Sequence, residues 1–187
     1  MIPTANSITY YQDNELAILF SKNPHVDFRY PCPGDTKEQI NDKLAKPFMN
    51  MEELSVKILY KKKQKTFEYS FVIPQYYTWD GASIPRIFWR LIGSKTSPNF
   101  MIASMVHDIL CENHAYINND RYLSTIVLEK LCKQGGTGAF RRWAIKHSVD
   151  NYQKIVGGWK NASKFTAYAI CIWLLLFTWN SWYCSHF

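Results

Sequence analysis

Between Leu54 and Ile73 the chain alternates apolar and polar residues twice, from Leu54 to Tyr60 and from Thr66 to Ile73, around the polar run Lys61-Lys62-Lys63-Gln64-Lys65. Successive side chains on a strand point to opposite faces, so this pattern predicts a β-hairpin with Leu54, Val56, Ile58 and Tyr60 sharing one face. The lysines read as a solvated hairpin tip. Pro74 ends the second strand, because its ring nitrogen has no hydrogen to donate to a ladder.

Upstream, Ile8 to Tyr11 and Leu16 to Phe20 are the apolar pieces of a region of mixed loop and short strand. Tyr30-Pro31-Cys32-Pro33-Gly34-Asp35 forbids a helix and favours a turn, and Thr36 to Leu44 predicts a short exposed helix. Asp13, Asn14 and Glu15 stand just before the short run Leu16 to Phe20, so a cleaved leader is not expected.

Downstream of the hairpin the period changes from two to 3.6. In Trp79-Asp80-Gly81-Ala82-Ser83-Ile84-Pro85-Arg86-Ile87-Phe88-Trp89, Asp80-Gly81 supplies a turn, Ser83 an N-cap and Pro85 a first-turn residue. Ile84, Ile87, Phe88 and Leu91 follow at helical spacing, ending at Gly93. A second helix is expected from about Pro98 to Asn113, with Met101, Ile102, Met105, Ile109 and Leu110 on its apolar side. Asn118 or Asn119 would cap a third helix striped by Leu123, Ile126, Val127 and Leu131, which Gly135-Gly136-Thr137-Gly138 breaks. A fourth covers roughly Ala139 to Ile155. The fold class is therefore α+β: an N-terminal β portion with a hairpin, a helical half bearing the motifs, and a C-terminal hydrophobic helix.

That last helix rests on Phe165 to Ser185, which hold no charged residue. About twenty such residues reach across a bilayer. Trp179, Trp182 and Tyr183 read as an interfacial belt, and Lys154, Lys160 and Lys164 flank the other end, the arrangement of a tail anchor. The division expected is one α+β domain over residues 1–158 and a hydrophobic helix over 159–187, with the domain on the cytoplasmic side of a host cell membrane. A buried C-terminal helix is the competing reading.

The formal charge of +7 suits an anionic partner, and the fourth helix interleaves Trp143 with Arg141, Arg142 and Lys146. Beside a membrane anchor, anionic lipid is the simpler partner than nucleic acid, and a solvated helix face the plainer reading. Five scattered cysteines without a Cys-x-x-Cys pair point to reduced thiols, not to a disulfide framework or a zinc ribbon.

The chemistry-capable residues are Asp80 and Gly81 on the turn, Ser83 and Arg86 after it, and the pair His107-Asp108 inside an apolar helix. Neighbours on a helix diverge by about 100°, so one pocket can use both only at the seam between them. One arrangement that would serve is His107 activating water, Asp108 holding a cation with help from Asp80, and Asp120 orienting the imidazole. His107, Cys111 and His114, read as one helical face, would offer three zinc ligands without a fourth. An HD-type phosphohydrolase would need a further upstream histidine, for which only His25 is available. The structural alternative makes Asp80 and Asp120 caps, with His107, Asp108 and Arg86 as a buried polar cluster.

The string Asp80-Gly81-Ala82-Ser83-Ile84-Pro85-Arg86, then Phe88-Trp89, His107-Asp108 and Asn119-Asp120, resembles a phage- and prophage-borne family of small proteins of unknown function, over roughly residues 50 to 155. The resemblance implies a viral or mobile-element origin. An aromatic residue usual in that family three positions after the Asp is Cys111 here. The His-Asp helix followed by an Asp-bearing helix is also similar to phospholipase A2, which implies catalytic roles for His107 and Asp120 and a calcium ligand in Asp108. That family's glycine-rich calcium loop and disulfides have no counterpart here. The functions expected are a membrane-associated phage protein whose polar site has structural or binding use, a metal-dependent esterase, or a virion component whose tail helix docks into a protein partner.

Overall fold

The computed structural model describes residues 7–81 and 100–156. Among these the architecture is α+β, with two antiparallel sheets in the N-terminal half and three longer helices after them. The first sheet runs β1 (Ile8–Gln12), β2 (Leu16–Phe20), β5 (Leu54–Lys62), β6 (Lys65–Ile73), and the second joins β3 (Val26–Phe28), β4 (Phe48–Asn50) and β7 (Thr78–Trp79). Helix α1 is Lys37–Ala45, α2 Met101–Glu112, α3 Arg121–Gln134 and α4 Ala139–Val156.

The predicted hairpin is β5 and β6, longer than expected because the lysines pair across the ladder down to Lys62 opposite Lys65. Only Lys63 and Gln64 remain for the turn, and Lys63 adopts φ +59, as the favoured two-residue hairpin turns require. Leu54, Val56, Ile58 and Tyr60 are all buried. Ile18 lies opposite Ile58 and Phe20 opposite Val56, which sets the register of β2 by matching buried faces. That face joins one apolar cluster with Met105, Val106 and Leu110 of α2, Leu123, Val127 and Leu131 of α3, and Ile145 and Val149 of α4.

The predicted exposed helix is α1, where Thr36 and Gln39 form a reciprocal capping box and no residue is buried. The second sheet was not foreseen, because strands of two or three residues carry no readable period. The expected cap of α3 is also corrected. Asn118 and Asn119 take left-handed backbone at φ +51 and +59, and Asp120 caps instead, its Oδ1 accepting from the Leu123 amide at 3.0 Å. Helix α2 begins after Phe100, a little later than Pro98.

No helix among the described residues is long and apolar enough to cross a membrane. The short helix expected around Ile84 to Leu91 and the hydrophobic helix expected over 159–187 lie outside the described residues.

Candidate functional site

Helix α2 separates the two halves of the His107-Asp108 pair, as the 100° step requires, and gives each a different neighbour. The β7 segment runs along one line of the helix. Trp79 Nε1 donates to Ser104 Oγ at 3.0 Å, and the Tyr77 hydroxyl donates to Glu112 Oε2 at 3.1 Å. Asp108 lies between Ser104 and Glu112 at four-residue spacing, and the charge of Asp80 bears on it. The turn segment and the His-Asp helix therefore meet.

His107 turns instead toward α3 and α4 and is 5% exposed. Gln153 Nε2 lies 2.8 Å from His107 Nε2, 3.3 Å from Ser124 Oγ and 3.0 Å from Cys111 Sγ. The Thr125 hydroxyl donates to Gln153 Oε1 at 3.3 Å, and Ser124 Oγ donates to the Arg121 carbonyl at 2.7 Å. A single glutamine on α4 thus ties the imidazole of α2 to two hydroxyls of α3. The other ring nitrogen, Nδ1, is 3.4 Å from Asp108 Oδ1, a long contact.

Burial pushes the Asp108 carboxyl up to about 6; the bond and charge of His107 oppose this, while the charges of Asp80 and Glu112 add to it. Burial alone would keep the imidazole neutral, but the neighbouring Cys111 sulfur and Asp108 carboxylate outweigh it and hold His107 above its ordinary value. A neutral ring accepts the Gln153 N–H at Nε2. An imidazolium donates there, and a half-turn of the Gln153 amide then presents Oε1 to it and N–H to the Thr125 oxygen. The same side chain serves both charge states. Tyr77 is also raised, by burial first and then by the carboxylates of Glu112 and Asp108.

Cys111 is not aligned as a nucleophile with His107 as its base. Its sulfur is 3.5 Å from Nε2 and 3.8 Å from Nδ1. The in-plane lone pairs of the two nitrogens diverge, so a sulfur nearly equidistant from both lies on the axis of neither.

The remaining expected site residues are placed as follows. Asp120 is not among the partners of His107: besides capping α3, its Oδ2 faces Lys62 Nζ at 3.6 Å. The phospholipase-like pairing of His107 with Asp120 is therefore not formed. Gly81 takes φ +91, where any side chain would strain the backbone. Ser83 and Arg86 lie outside the described residues. His114 opens a 3-10 turn after the end of α2, so it does not share a face with His107 and Cys111. Among the described residues no three His, Cys, Asp or Glu side chains stand together to hold a metal ion. His25 sits near Glu52 at 3.9 Å on the surface.

Of the three expected surface cations, Arg142 is engaged within the protein, its Nε bonding Glu129 Oε1 at 3.2 Å and its Nη1 donating to the Thr137 carbonyl. Lys146 lies over the Tyr122 ring, 5.6 Å from its centroid, and Arg141 is exposed. Gln153, Ser124 and Thr125 were missed as site residues, and Cys111 was read only as a zinc ligand. The readable signal was the polar residues on otherwise buried helical stripes, Gln153 one turn after Val149 and Ser124 one turn before Leu128.

These features define a small α+β protein in which a His-Asp helix meets the segment leading to a glycine turn on one side and forms a buried polar junction with two further helices on the other. Residues 53–149, a little over half of the chain, match the family described as Protein of unknown function (DUF1353), and the chain belongs to that family. The match covers β5, β6, β7, α2, α3 and most of α4, and so contains the junction except for Gln153. The chain is also similar to an uncharacterized protein, y4jT, of Sinorhizobium fredii (strain NBRC 101917 / NGR234), at 40% identity over 43 residues. That stretch is 23% of this chain and 13% of the relative's length, so the chain corresponds to a small part of the relative. No solved structure matches.

Proposed function

We propose that this is a phage-derived, membrane-associated small protein whose turn and His-Asp segments form a polar junction of structural or binding use. The observation that carries the junction reading is the Gln153 amide, 2.8 Å from His107 Nε2 and bonded in turn to Ser124 and Thr125. An imidazole 5% exposed and occupied in this way joins three helices. A hydrolytic centre would instead keep a ring nitrogen open toward a substrate or water. Membrane association is supported by the +7 charge and the uncharged stretch from Phe165 to Ser185, and phage origin by the Asp80 to Arg86 string.

Two measurements on the full chain test this. After expression in a bacterial host, the protein should sediment with membranes and stay there through an alkaline carbonate wash; full recovery in the supernatant would overturn the membrane reading. His107→Ala should lower the thermal midpoint, since it removes the shortest bond of the Gln153 amide and empties a buried site, by about 1–3 kcal/mol in stability. A variant of unchanged stability, beside wild-type ester hydrolysis that His107→Ala abolishes, would replace the junction with an enzyme.

A further inference from the structure

Helix α4 carries an aromatic strip on its outer side. Phe140 and Trp143 are 58% and 46% exposed although their rings stack at 6.1 Å, and Trp143 also packs on His147 at 4.8 Å. Positions 140, 143 and 147 fall on one helical face. Beside it stands Tyr122 of α3, 48% exposed under the Lys146 ammonium. Large aromatics are left on a surface at the expense of burial, and a contiguous group marks a contact site.

The charges around the strip say what it contacts. From Ala139 to Lys164 the sequence holds six lysines and arginines and a single acid, Asp150. Asp150 is itself neutralised, bonded to Arg121 Nη1 and to Lys154 Nζ at 2.8 Å. Among the described residues of α4 no carboxylate is left unpaired to repel an anionic surface, while Lys146 stands beside the strip over Tyr122 and Arg141 is exposed further round the helix. Trp, Tyr and His side chains combine an apolar body with a polar tip, which suits the headgroup boundary better than a dry protein interface. The chain leaving α4 reaches the uncharged run beginning at Phe165 within nine residues of Val156.

Resting on the membrane reading above, we infer that the Phe140, Trp143, His147 face of α4 lies on an anionic phospholipid bilayer, its aromatic rings at the headgroup level and Lys146 against lipid phosphates. The expected tail would hold the protein at the membrane, and this face would fix which side of the domain meets it.

The test is flotation of the full chain with vesicles of phosphatidylcholine alone and of phosphatidylcholine containing about one-third phosphatidylserine. Wild type is compared with Phe140→Ala/Trp143→Ala, whose changes are at exposed positions, with circular dichroism and thermal melting to establish that the variant is folded. The wild type should partition more strongly into the anionic vesicles, an advantage that fades at about 0.5 M salt, and the double variant should lose about tenfold in partitioning into them. Equal partitioning of wild type and variant would overturn the proposed face while leaving the membrane reading intact. Failure of the wild type to float with either vesicle would overturn the membrane reading, and the proposed face with it.

Discussion

At the scale of single residues, Asp108 is a carboxyl whose surroundings disfavour its charged form. Its carboxyl is buried, with the charges of Asp80 and Glu112 acting against ionisation, and its pKa rises from 3.8 to about 6. The native state therefore keeps this proton at pH values where the unfolded chain has already lost it, so the group's contribution to stability falls as pH rises from about 4 to about 6. Asp108→Asn lacks this titration. Urea unfolding across that range should show the variant gaining on the wild type by up to about 3 kcal/mol, and a gap that does not change with pH would contradict the assignment. Asp13 has the opposite balance: burial would raise its pKa, but bonds from Lys130, the amides of Glu15 and Leu16, and the Tyr11 hydroxyl hold it well below the usual carboxylate range. The difference is one of available donors. Asp13 closes the β1–β2 turn with four of them, whereas among the described residues Asp108 has one long contact to a ring nitrogen.

At the scale of elements, the connection between α2 and α3 depends on backbone that most residues resist. Asn118 and Asn119 both occupy the left-handed region, where asparagine is tolerated better than other non-glycine residues. The Asn118 side chain also lies close to the Tyr69 hydroxyl of β6. Asn118→Ala should therefore lower stability by about 1–2 kcal/mol, and Asn118→Gly by less, since glycine keeps the left-handed conformation and loses only the side chain's own contacts. Chemical denaturation of the two variants separates these terms, and an equal loss in both would assign the whole effect to the side chain. The same residues explain the misplaced cap. Asn, like Asp, is a good N-cap, and local sequence does not show which of three consecutive candidates has extended backbone and which must turn the chain.

At the scale of the molecule, the second sheet is joined to the helices through Trp79. Its ring stacks on Phe48 with centroids 5.5 Å apart, and its indole N–H reaches Ser104 on α2. Trp79→Phe keeps an aromatic ring and removes that donor. The expected loss is about 1–2 kcal/mol, with hydrogen exchange rising in β4 and β7 and in α2 together. Protection lost in β7 alone would mean that the two layers are independently stable.

The alternation of β5 and β6, the stripe of α3 and the glycine break before α4 could be read directly, because each is a local pattern with a physical period. The candidate residues His107 and Asp108 were legible for a related reason, two polar groups inside an apolar helix. Their partners were not. Gln153 lies 46 residues from His107 in sequence and Ser124 lies 29 from Gln153, and no local rule connects them. The sequence determined which faces had to be buried and which polar residues would be caught inside. Only the tertiary structure decided how those residues pair, since hydrogen-bond partners are set by how helices and sheets pack across long stretches of chain, and a side chain's own neighbours in sequence do not fix that packing.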